Sequence, residues 1–73
     1  MADIQFDYEE LLAVAVFEEK NRKDTVRDLQ ECLEYMKEDK ELTGIVKRTV
    51  RKLKQMSDED FLKLDLKPYK QQE

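Results

Sequence analysis

The stretch LKQMSDEDFLKLDL, Leu53–Leu66, decides how this chain folds, because it joins a basic helical segment to three consecutive acids with an aromatic ring directly behind them. Acids in such a row can hold a metal, form a docking motif or begin a helix. Here Met56, Ser57, Asp60 and Phe61 fall at N′, N-cap, N3 and N4 of a short helix: Ser57 caps, Asp60 reaches back, and Met56 packs on Phe61. Asp58, Glu59 and Asp60 then occupy a helix N-terminus, where each negative charge contributes about 0.3 to 1 kcal/mol. The acids read as a start signal. Leu64 ends the helical pattern, Leu66 adds one more apolar anchor, and Pro68 pushes Lys67 toward an extended conformation.

Three longer helices are expected upstream. FDYEEL places Asp7 at an N-cap, Glu10 three residues on, and Phe6 and Leu11 in position for a hydrophobic staple, with the helix running to Glu19 or Lys20. Its apolar residues fall on two sides. Tyr8, Leu11, Leu12, Ala15 and Val16 form one stripe, and Ala13, Val14 and Phe17 lie behind, so this helix needs two neighbours. Asn21 caps a second helix ending near Lys37, with Val26, Leu29, Leu33 and Met36 inward and Cys32 beside them. Asp39 caps a third, whose Leu42, Ile45, Val46, Thr49, Leu53 and Met56 share about one third of the circumference. The short turn between the second and third helices makes them antiparallel neighbours.

The expected fold is therefore all-α: a three-helix bundle with a short fourth C-terminal helix, a single domain over residues 1–73, frayed at 1–6 and 69–73. Phe61, Leu64 and Leu66 are expected to cover the back of the first helix at Val14 and Phe17. Otherwise those two residues form a homodimer contact; a monomer is the favoured state.

Composition narrows the function. In 73 residues with 44% charged side chains there is no histidine, one cysteine (Cys32) and one serine (Ser57), which excludes the usual Cys/His zinc site, an internal disulfide and a Ser-His-Asp triad. A domain this small buries only about 60% of its chain's surface, so a deep catalytic cleft is not expected, and neither is an enzyme or a cofactor. The SDED segment lacks the spaced ligands, central glycine and distant glutamate of a calcium loop. Cys32 is expected to pack as a small hydrophobe in a reducing cytoplasm. The longest apolar run, LLAVAVF, is far short of the roughly 20 residues of a membrane span, and the acids Asp3, Asp7, Glu9 and Glu10 oppose a signal peptide. Tyr8 and Tyr35 suit bundle edges.

One charge anomaly remains. Residues 1–46 carry a net −7 and residues 55–73 a net −2, whereas KRTVRKLK, residues 47–54, carries +5. Lys47, Arg48, Arg51, Lys52 and Lys54 all fall outside the apolar stripe and form a ridge able to hold phosphates or an acidic partner. The plainer expectation is that the ridge faces Asp28, Glu31, Glu34 and Glu38 of the second helix, in exposed pairs worth about 0 to 1 kcal/mol each.

The order of motifs adds a setting. DLQECLEYM, then DKEL, then RKLKQMSDEDFLKLDLKP resembles the transposon-transfer assisting proteins, a family of small bacterial proteins. The family pattern is Lys-Leu-x-x-Met-[Thr/Ser]-Asp-x-[Glu/Asp]-Phe-x-x-Leu-Asp-Leu, matched here from Lys52 to Leu66 within a resemblance spanning residues 24–68. The resemblance implies a small helical protein of a conjugative transposon with a role in moving the element between cells. It carries over no catalytic or binding residues. The function expected first is a non-enzymatic accessory or adaptor working through contacts with an unknown protein of the transfer machinery. The alternative is a nucleic-acid accessory factor that sets Lys47, Arg48, Arg51 and Lys54 against DNA phosphates.

Overall fold

A computed structural model describes residues 4–18 and 21–69. Four α-helices follow in order, α1 (Tyr8–Phe17), α2 (Arg22–Leu33), α3 (Lys40–Gln55) and α4 (Asp58–Leu62), then a 3₁₀ turn at Lys67–Tyr69. Each α-helix opens on a side-chain cap. Asp7, Asn21, Asp39 and Ser57 all hold extended backbone, and their oxygens accept the amides of Glu10, Asp24, Leu42 and Asp60. For α1 the box is complete, since Glu10 Oε1 also accepts the Asp7 amide at 2.9 Å. For α4 it is half formed: Ser57 Oγ accepts the Asp60 amide at 3.0 Å, without the expected return bond from Asp60. Aspartate is one methylene shorter than the glutamate that closes such a box.

Helix ends depart further from expectation than helix starts. α1 stops at Phe17, with Glu18 extended at its C-cap, because Asn21 must already be in β conformation to cap α2; residues 19 and 20 lie outside the described part. α2 stops at Leu33, four residues before Lys37. Three i→i+3 bonds, from the amides of Glu34, Tyr35 and Met36, tighten its end, and the Met36 carbonyl then accepts the Asp39 amide and, at 2.8 Å, the Thr43 hydroxyl. Met36 thus leaves the helix to build a glycine-free reversal into α3.

One buried cluster unites the helices: Val14 from α1, Val26 and Leu29 from α2, Val46, Val50 and Leu53 from α3, then Met56, Phe61 and Leu66. Phe17 and Leu64 pack against it. Val50 belongs to the α3 core stripe although the spacing did not include it, while Leu42 is partly exposed. Val14 is fully buried within its own chain, and Phe17 beside it is half-buried. Besides α2 and α3, the 3₁₀ turn packs on α1, where the rings of Tyr69 and Tyr8 stand 5.6 Å apart. Ile4 and Phe6 pack against the core as well, so the expected fraying does not extend to them or to Tyr69; residues 1–3 and 70–73 lie outside the described part.

At the far end of the bundle Arg22 acts as a clasp. Its side chain donates to the Leu53 carbonyl near the end of α3 (2.9 Å) and to Asp58 at the start of α4 (2.8 Å), satisfying an orphan helix-end acceptor with a fixed cation.

Gly44 is a local weakness inside α3. Its φ is not positive, and an added Cβ would meet only Arg48 Nη1, at an ordinary 3.9 Å. Nothing within the chain requires a glycine there. Gly44→Ala is accordingly expected to stabilise the fold by about 1 kcal/mol, raising Tm by about 4 to 8 °C in thermal unfolding followed by circular dichroism.

Candidate functional site

The basic segment of α3 divides into two parts with different surroundings. Arg48 and Lys52 turn toward α1. Lys52 Nζ donates to Glu10 Oε1 and to the Gln5 carbonyl (2.8 Å), and stands 5.7 Å from the centre of the Phe6 ring. Arg48 Nε lies 3.3 Å from Glu10 Oε2, and its Nη2 lies 3.9 Å from Asp7. Glu10 is fully buried, a position a carboxylate keeps only when cations and amides satisfy it.

This pairing fixes the rotation of α1. Turning Glu10 toward α3 brings Val14 into the core with Phe17 packed behind, and leaves Tyr8 and Val16, two members of the other apolar stripe, exposed at 65% and 69%, Tyr8 as suits a bundle edge. The sequence identifies Glu10 as a capping residue; its second role shows only once α3 lies beside it. The acids expected to face the ridge do not. Among the described residues, Asp28, Glu31 and Glu38 make no ion pair with α3, and Glu34 pairs with Lys37. Since α2 ends at Leu33, Glu34 and Glu38 are not on a helix alongside α3.

Lys47, Arg51 and Lys54 form the second part. All three are exposed and make no ion pair among the described residues. The candidate contact set of Lys47, Arg48, Arg51 and Lys54 is therefore split: Arg48, though half exposed, pairs with the buried Glu10, and the other three make no ion pair among the described residues. Met56 and Phe61 are buried in the core and Ser57 is an exposed cap, so this group is structural. Cys32 is half-buried with a free thiol. Tyr35 is 90% exposed and Leu62 72%, adding to the apolar area that Tyr8 and Val16 leave on the surface. Among the described residues no acid or cysteine cluster could hold a metal ion, and no helix is long and apolar enough to cross a membrane.

No curated protein sequence and no solved structure gives a match to this chain. A family model described as putative transposon-transfer assisting protein matches residues 6–68, from the staple residue before α1 through the proline of the final turn, and so takes in every helix described above. With that share of its length matched, the chain belongs to the transposon-transfer assisting protein family.

Proposed function

We propose that this protein is a non-enzymatic accessory of a conjugative transposon, assisting transfer as a cytoplasmic adaptor that binds another protein of the transfer machinery. Family membership supplies the setting. The observation that carries the choice of protein over DNA is the pairing of Arg48 and Lys52 with the buried Glu10, which commits two of the ridge's cations to the chain itself. What is left of the ridge belongs to a chain of net charge −4, a poor start for a phosphate backbone. The exposed Tyr8, Tyr35 and Leu62 are side chains suited to a partner surface.

A tagged full-length chain, recovered from cells carrying the parent element with and without nuclease treatment, tests the reading. The expected result is a protein partner that survives digestion. A partner lost on digestion supports the alternative, a nucleic-acid accessory using Lys47, Arg51 and Lys54. That alternative also requires an affinity falling with salt at about −0.9 per neutralised phosphate in log–log form.

A further inference from the structure

Lys40, Gly44, Lys47, Arg51 and Lys54 are spaced four, three, four and three apart along α3. At about 100° per residue they share about 80° of the helix surface, in a line about 21 Å long at about 1.5 Å per residue. The four cations are exposed, and none makes an ion pair among the described residues. No acid lies on this line.

Two of the five residues weaken the helix that carries them. Lys40 is the first residue of α3, where a positive charge opposes the helix dipole. Gly44 sits inside the helix, with room for a methyl group and no conformational need for its absence. Costs of this kind, uncompensated within the chain, mark places where a sequence answers to something besides its own fold. A missing Cβ matters to an occupant that brings its backbone close, and a four-three spacing is the register in which one helix lies along another.

From these observations we infer that this outward line of α3 is a docking track for an acidic α-helix of a partner protein, which approaches closest at Gly44 and sets its carboxylates against Lys40, Lys47, Arg51 and Lys54. The inference rests on the adaptor reading and names the surface and the chemistry of the partner. Duplex DNA fits the track less well. Phosphates are reached by long side chains, which gain nothing from a missing methyl group, and the chain's overall negative charge repels them.

Gly44→Ala separates this proposal from a fold effect, because the same change that raises Tm should weaken docking. The probes are an alanine-based helical peptide of about 21 residues with glutamates in four-three register around a central alanine, its lysine counterpart, and a short DNA duplex. Each is titrated with the full chain at low ionic strength by fluorescence anisotropy. The acidic peptide is expected to bind and the lysine peptide not. Gly44→Ala should weaken binding about tenfold through the added methyl group, and the double reversal Lys47→Glu, Arg51→Glu should abolish it.

Absence of acidic-peptide binding overturns the proposal. So does binding indifferent to Gly44→Ala, or a preference for the duplex. In the pull-down, a protein partner that survives nuclease but ignores the double reversal leaves the adaptor reading standing and removes the track; a partner lost on digestion removes the adaptor reading itself.

Discussion

Phe61→Ala is expected to cost about 3 to 5 kcal/mol, the usual range for emptying a buried aromatic site. The ring is 3% exposed and belongs to the buried cluster that includes Val14, Val26, Leu29 and Leu53, so its loss opens a cavity in the core. By size alone, at roughly 0.05 to 0.15 kcal/mol per residue, a 73-residue domain has roughly 4 to 11 kcal/mol of stability in total. The variant should be largely unfolded at the lower end of that range. Urea denaturation gives the number, and the next residue supplies the control: Leu62 is 72% exposed, so Leu62→Ala should change stability by no more than about 0.5 kcal/mol. A loss below about 1 kcal/mol for Phe61→Ala would mean that α4 does not close the core.

The second large effect concerns Glu10. Removing one member of a buried ion pair typically costs about 3 to 5 kcal/mol, because the other charge is left without its partner. Lys52→Met should cost less, about 2 to 3 kcal/mol, since Arg48 remains 3.3 Å from the carboxylate and the Asp7 amide still donates to it. Replacing both partners, Glu10→Leu with Lys52→Met, should return stability to within about 1 kcal/mol of the starting protein, the remaining difference being the lost capping bond and the exposed Lys52 bond to the Gln5 carbonyl. The double variant is thus expected to be more stable than Lys52→Met alone. If the losses simply add, Glu10 and Lys52 are not coupled and the account of how α1 is oriented fails.

These two sites also show which parts of the structure were legible in the sequence. Caps depend on residues three positions apart, so Asp7, Asn21, Asp39 and Ser57 could be assigned from local chemistry, and the capped helices with their apolar spacing gave the all-α bundle. The end of α2 was not legible. It depends on the Met36 carbonyl collecting donors from Asp39 and Thr43, and no glycine marks the place. The rotation of α1 was ambiguous because the helix is apolar on both sides; a contact 42 residues away in sequence, Glu10 with Lys52, decides it. The same contact explains the ridge: residues read as one solvent-facing group divide according to which neighbour each meets. Arg22 carried no local signal at all, being an ordinary basic residue after a cap.

The Arg22 clasp has a consequence for the order of events in folding. Its two acceptors lie 31 and 36 residues further along the chain, so the bond to Leu53 waits for the reversal between α2 and α3, and the bond to Asp58 waits for the corner at Met56 as well. Bonds made after the rate-limiting barrier leave the speed of assembly almost untouched and act on the speed of escape. Arg22 is accordingly expected to belong to the latch rather than the nucleus, setting how long the bundle, once made, stays shut.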